Sequence, residues 1–174
     1  CEALRSFDVL FAISEATRRD AIDLLGLRPD QVVNVGGACD GRYRLMSAGE
    51  VDSEALRQRY GIQKDFVLSV SGDEYRKNIP RLVEAYALLG DDIRQQFELV
   101  VVCHLSPTTR AALDDLLGRY PPGLAENVRF LGYVEDEDLV RLYNDCAVFA
   151  FPSFYEGLGI PVIEALRCGA TALA

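Results

Sequence analysis

Basic charge is scarce in this sequence: its 174 residues hold 18 Lys and Arg against 27 Asp and Glu, a formal net charge of −9. Such a balance argues against broad nucleic-acid binding, which needs cations to displace counterions, and against a polybasic membrane anchor. An anionic ligand must be held by a local basic site, against the field of the whole chain. Histidine occurs once, at His104, and the five cysteines (positions 1, 39, 103, 146 and 168) show neither CxxC nor Cys/His ligand spacing. No structural zinc site is therefore expected, and the thiols read as reduced and mostly buried in a cytosolic protein. No apolar run approaches the roughly 20 residues of a membrane span. The opening CEALRSFDVLFAIS lacks a signal peptide's basic start and cleavage pattern. P-loop, GxGxxG and GxSxG patterns, internal repeats and low-complexity segments are all missing.

What is present is a core. At 49% hydrophobic and 26% charged, the chain has the composition of a soluble globular protein of one domain or slightly more. It begins at Cys1 rather than Met and stops in the apolar ATALA, so it is expected to be a piece of a longer protein.

Short apolar runs alternate with longer amphipathic stretches. Strands are expected at 9–13, 32–35, 66–71, 97–103, 128–131, 148–151 and 171–174. Between them the spacing predicts helices from Glu15 (capped by Ser14) to Leu25, from Ser53 to Tyr60, and from the Asn78–Pro80 start to Leu89. Further helices are expected from Thr108 to Tyr120, from Glu135 to Cys146, and from Ile160 to Cys168. Residues 36–50 lack periodicity and read as a linker. Strands of four to seven residues between helices of about ten indicate βαβ units, and unbroken runs such as LVVV fit a sheet covered on both faces. The fold class is α/β, a Rossmann-like parallel sheet flanked by helices. In such sheets ligands sit beyond the carboxyl ends of the strands, which directs attention to the loops after Ser71, Cys103, Leu131 and Phe151.

The loop SGDEYRKN (71–78) brings Ser71 and Gly72, which permit close backbone approach, and the cations Arg76 and Lys77 to the start of a helix. Helix starts favour anions through unpaired N–H groups and their dipole, so the pair reads either as a diphosphate clamp or as a solvated basic pair. In PSFYEGLGIPVIEAL (152–166), Glu156 precedes the turn Gly157–Leu158–Gly159, whose N–H groups suit phosphate. Glu164 follows eight residues later in an apolar run, where an unpaired charge is costly. It reads either as a ligand for neighbouring hydroxyls such as those of ribose or as a carboxylate at the rim of the core, and Glu156 either as a sugar ligand or as a cap. The backbone of LGYVEDEDL (131–139) can meet a base, although its acidic residues also suit a helix start. His104 reads as a loop histidine without a catalytic partner. Phe151, Phe154 and Tyr155 read as packing and loop-shaping residues.

These stretches together resemble the retaining glycosyltransferases of family four, which have the two-domain GT-B fold. ISEATRRD and VVNVGGACDGRYRL resemble the end of that family's N-terminal domain. SGDEYRKNIPRLVEAYALL resembles its phosphate-binding loop and helix. FELVVVC, NVRFLGYVEDEDLVRLYNDCAVFAFPS and FYEGLGIPVIEALRCGA follow in the family's order. The most specific piece is the E-x7-E pair, Glu156 and Glu164. The resemblance implies that residues 1–50 end the N-terminal domain and carry the linker. Residues 51–174 would then form the nucleotide-sugar-binding C-terminal domain, truncated at its C-terminus.

It also implies roles. Arg76 and Lys77 would bind the donor's diphosphate, Glu156 the transferred sugar, and Glu164 the ribose. Gly157, Leu158 and Gly159 would offer N–H groups to sugar and phosphates, and Tyr133 and Val134 would lie near the base. The implied reaction moves a hexosyl group from a nucleoside diphosphate sugar to an acceptor hydroxyl, without a metal or other cofactor. The RKN variant of the loop points to GDP-mannose. The acceptor would be a glycan or lipid-linked sugar, held through an N-terminal domain that is largely absent, so this piece alone is expected to be inactive. The implied location is cytoplasmic, with peripheral attachment of the full-length protein at the inner membrane left open. A non-catalytic Rossmann-like module binding a nucleotide or a partner, and a GT-B nucleotide-sugar epimerase, remain as alternatives.

Overall fold

The computed structural model describes residues 2–174. They divide into two compact units, one running to Cys39 and including Glu156–Ile160, the other comprising Asp40–Tyr155 and Pro161–Ala174.

In the first unit a single turn, α1 (Glu2–Arg5), precedes β1 (Leu10–Ala12), α2 (Glu15–Asp23) and β2 (Val32–Asn34). The strands pair in parallel, Leu10 with Val32 and Ala12 with Asn34. Ala12, Leu27 and Val32 form a small core that Leu4, Leu10, Ala21 and Leu25 cover. Ser14 caps α2 as its sequence position suggests, its extended backbone letting Oγ accept from the Thr17 N–H.

The second unit opens with the turn α3 (Ala48–Val51) and α4 (Ser53–Tyr60). Then follow β3 (Asp65–Val70), α5 (Ile79–Ala87), α6 (Asp91–Gln96), β4 (Phe97–Val102) and α7 (Pro107–Leu117). The chain continues through β5 (Val128–Phe130), α8 (Asp136–Asp145), β6 (Val148–Ala150), α9 (Ile160–Arg167) and β7 (Ala172–Leu173). Five strands make one parallel sheet in the order β5-β4-β3-β6-β7. Side chains alternate across it. Leu99 and Val101 pack with Val83 of α5 and Leu113 of α7, whereas the Phe149 ring meets Tyr143 of α8 at 5.3 Å. Helices thus cover both faces, as the apolar strands predict.

Several boundaries differ from expectation. α4 does run from Ser53 to Tyr60, with Asp52 as its cap, but α7 begins at Pro107, one residue before Thr108, with Ser106 as its cap. The six-residue α6 was not anticipated, since DDIRQQ buries no residue and so shows no apolar stripe. The stretch read as a linker is fastened to α8 and α9. Asn144 accepts from the Met46 N–H at 2.8 Å and donates to the Arg44 carbonyl at 3.0 Å, and Arg167 donates to the Tyr43 carbonyl at 3.1 Å. Glu98, which precedes the apolar run LVVV of β4, is buried. It accepts from the Gln63 and Lys64 N–H groups at 2.5 and 2.9 Å and from Arg129. Among the described residues no helix is long and apolar enough to cross a membrane.

Candidate functional site

The direction of chain progression reverses beside β3: β4 and β5 are added on one side, β6 and β7 on the other. A reversal of this kind leaves a crevice at the strands' carboxyl ends, the usual ligand position in open α/β sheets. The two loops that leave this point are SGDEYRKN after β3 and the 151–155 segment after β6, and three hydrogen bonds stitch them together. The Phe154 N–H donates to the Arg76 carbonyl at 2.9 Å, the Arg76 guanidinium to the Tyr155 carbonyl at 3.2 Å, and the Asn78 amide to the Pro152 carbonyl at 3.0 Å.

The loop after β3 turns sharply before α5. Tyr75–Lys77 form a turn of 3-10 helix that ends at Asn78 in the left-handed region, φ +60°. That geometry redirects the chain into α5. Because the Asn78 side chain bonds to Pro152, it does not cap the Ile79 and Arg81 amides of α5. Arg76 is exposed, with Glu74 3.8 Å away. Lys77 is half-buried, its Nζ lying 5.7 Å from the centre of the Phe151 ring. Ser71 and Gly72 are half-buried, and the Ser71 hydroxyl donates to the Gly72 carbonyl at 3.2 Å.

Glu164 projects from α9 with its side chain half-buried. The hydroxyl of Tyr143, which has no solvent exposure, donates to its carboxylate at 2.9 Å. The Tyr43 hydroxyl acts on the same carboxyl, and the two tyrosine rings meet edge to face at 5.9 Å. Burial raises the Glu164 carboxyl above its ordinary value, although the two hydroxyls pull the other way. Burial and the Glu164 charge push the Tyr43 hydroxyl up to about 12, and burial and Glu164 raise Tyr143 further still. This is a carboxylate held in place by a neutral donor, the Tyr143 hydroxyl, with acceptor capacity left over.

In the first unit, the Gly157 carbonyl accepts from the Ser14 hydroxyl and, at 3.5 Å, from Thr17. Because a trans peptide sets C=O and N–H in opposite directions, the Leu158 N–H points away from α2. Gly159 has φ +73°, a region L side chains rarely occupy. Leu158 lies so close to Gly37 that a Cβ there would meet its Cδ2 at 2.4 Å. Glu156 is half-buried.

Residues 52–174 match the family described as Glycosyl transferases group 1. The chain belongs to that family. It is 34% identical over 167 residues to the serotype-specific mannosyltransferase WbdA of Escherichia coli, which covers 95% of this chain and 20% of the relative. It is 34% identical over 171 residues to the O-antigen chain mannosyltransferase B of Escherichia coli, covering 97% of this chain and 43% of that one. The chain thus spans well under half the length of these relatives. The crystal structure of HepE from Anabaena in complex with UDP and glucose superposes with a TM-score of 0.83 at 24% identity, over 99% of this chain and 45% of the other. The structure of WaaG, a glycosyltransferase involved in lipopolysaccharide biosynthesis, gives 0.76 at 23% identity, over 94% and 43%. The fold is that of a GT-B glycosyltransferase C-terminal domain.

Within this glycosyl transferase group 1 chain, other expected positions fall as follows. Tyr133 follows Gly132 (φ +70°) and is exposed, its hydroxyl 3.5 Å from Glu135. The Val134 side chain is buried, so only its backbone can meet a ligand. His104 is exposed at the end of β4. Cys103 and Cys168 are buried, Cys39 and Cys146 half-buried. Burial pushes the Cys103 thiol up to about 11 and the Cys146 thiol up to about 12, so neither is a thiolate nucleophile at neutral pH. No group of three or more His, Cys, Asp or Glu among the described residues is arranged to hold a metal. Tyr43 and Tyr143 went unnoticed in the sequence, because nothing local links them to Glu164. Phe154 and Tyr155 depart from the packing half of their expectation, although their backbones do shape the loop. Phe151 is packed inside, but these two are exposed.

Proposed function

We propose that the chain is the donor half of a mannosyltransferase, with residues 51–174 holding a nucleoside diphosphate sugar and residues 1–50 belonging to the preceding domain and linker. The observation that carries this reading is the stitched pair of loops at the sheet's reversal, which sets two adjacent cations and an uncapped helix start in one place. Arg76 and Lys77 take the diphosphate, aided by the first-turn amides of α5. Glu164, oriented by Tyr143, accepts from the ribose hydroxyls. Tyr133 and the Val134 backbone, past the end of β5, meet the base. Glu156 contacts the transferred hexose, and Gly157, Leu158 and Gly159 offer N–H groups to the sugar and phosphates. Ser71 and Gly72 let the phosphates approach the backbone.

The chemistry is chiefly electrostatic. Charge develops on the leaving diphosphate as the anomeric bond breaks, and preorganised cations and amides stabilise it more in the transition state than in the ground state. The names of the relatives support mannose, and so GDP-mannose, as the donor. The acceptor is a glycan or lipid-linked sugar, reached through the rest of the protein at the cytoplasmic side of the membrane. The test is product analysis of the full-length protein with GDP-mannose, UDP-glucose and an acceptor oligosaccharide. Acceptor lengthened by mannose, with GDP released and the effect abolished by Glu156→Ala, is expected. Isomerised donor without transfer would overturn the reading.

A further inference from the structure

Tyr75 and Phe154 stand out from the loops around them. Tyr75 is 90% exposed and Phe154 60%, yet their rings are neighbours, with centroids 5.9 Å apart and planes tilted by 38°. Two large rings side by side in water forgo much of the free energy their burial supplies. They are also held in place. Phe154 is tied to the Arg76 carbonyl through its own N–H, and Tyr75 begins the 3-10 turn that ends at Asn78. The rings form one wall of a cleft of about 530 Å³, within the range of roughly 300–1,000 Å³ that small-ligand sites occupy. Beside the apolar Ile79 and Pro80, the cleft is also lined by Asp73, Glu74 and Glu84, which carry carboxylate acceptors, by Thr109 with a hydroxyl and by Arg81 with donors. Asp73 is fixed by the Ser106 N–H at 2.9 Å, and Arg81 is paired with Glu84 at 2.6 Å.

A pyranose has the complementary surface, an aliphatic C–H face that lies against an aromatic ring and a rim of hydroxyls that donate to carboxylates. We infer that the Tyr75–Phe154 cleft is a saccharide subsite that holds a sugar of the acceptor glycan away from the reacting hydroxyl. The inference rests on the donor reading in one respect: Tyr75 immediately precedes the Arg76–Lys77 pair, so a glycan seated on the rings is anchored next to the diphosphate clamp. Binding energy gathered on a non-reacting sugar is then available to orient the reacting end.

The experiment uses the full-length protein and two probes, a tetrasaccharide of α-linked mannose and mannose itself, with GDP titrated in parallel. Tyr75→Ala and Phe154→Ala should each weaken tetrasaccharide binding about tenfold, a loss of ~1.4 kcal/mol. Tyr75→Phe, which keeps the ring, should restore most of it. GDP affinity should stay within about twofold in every variant, and mannose should bind far more weakly than the tetrasaccharide. Tetrasaccharide binding that is undetectable in the wild type, or indifferent to both alanine variants, would overturn the subsite. So would a matching loss of GDP affinity or thermal stability, because the rings would then be structural. A protein that never binds GDP but binds the tetrasaccharide through these rings would leave the subsite standing and remove the donor reading.

Discussion

The Tyr143 hydroxyl donates to the Glu164 carboxylate at 2.9 Å from a position with no solvent exposure. A buried tyrosine seldom leaves its O–H without a partner, and here the partner is the residue assigned to the ribose. Tyr143→Phe keeps the ring contact with Phe149 and removes only the donor. Ribonucleotide binding should weaken by ~1 kcal/mol, about fivefold. The preference for a ribonucleotide over its deoxy analogue should shrink with it. Calorimetry with both nucleotides checks this. An unchanged preference would mean that Tyr143 does not position Glu164.

Glu164→Gln should trade binding for stability. Because burial raises the Glu164 carboxyl above its ordinary value of 4.5, the ionised form is disfavoured in the folded state relative to the unfolded one. Glu164 therefore costs stability once the pH passes its unfolded value, and the cost grows until the pH passes the raised folded value. The amide carries no such cost. The variant should melt higher than wild type at about pH 7, with the difference closing towards about pH 4, while ribonucleotide affinity falls. A variant less stable than wild type at neutral pH would contradict this.

Glu98→Ala should destabilise the second unit sharply. It strips the acceptor from two backbone N–H groups and leaves the Arg129 guanidinium without its buried partner. Loss of one member of a buried pair typically costs ~3–5 kcal/mol. Urea unfolding measures it, and Glu98→Gln, which keeps a neutral acceptor, should recover part of the loss. Equal stability of the alanine variant and wild type would remove Glu98 from the framework.

The elements of the sheet were legible because each strand is a run of apolar residues closed by a turn. The placing of Arg76 and Lys77 before a helix was legible because they adjoin the helix start in sequence. Contacts that bridge distant segments were not. Tyr143 lies 21 residues from Glu164, and Asn144 meets Arg44 across 100; no local pattern records such pairings. Asn78 looked like a helix cap, and only the fold reveals that its amide serves Pro152 instead. Phe154 looked like packing because aromatic residues usually are. Its exposure follows from the strap that holds its backbone against Arg76, which a period in the sequence cannot express.

The central claim is that Arg76 and Lys77 clamp a diphosphate, and calorimetric titration of the protein with GDP and with guanosine tests it most directly. Wild type should bind GDP far more tightly than guanosine. Lys77→Ala should erode that margin by ~1.5–3 kcal/mol, the range for a charged hydrogen bond, while leaving guanosine binding nearly untouched. Equal affinity of wild type for the two ligands, or an equal loss for both in the variant, would contradict the account.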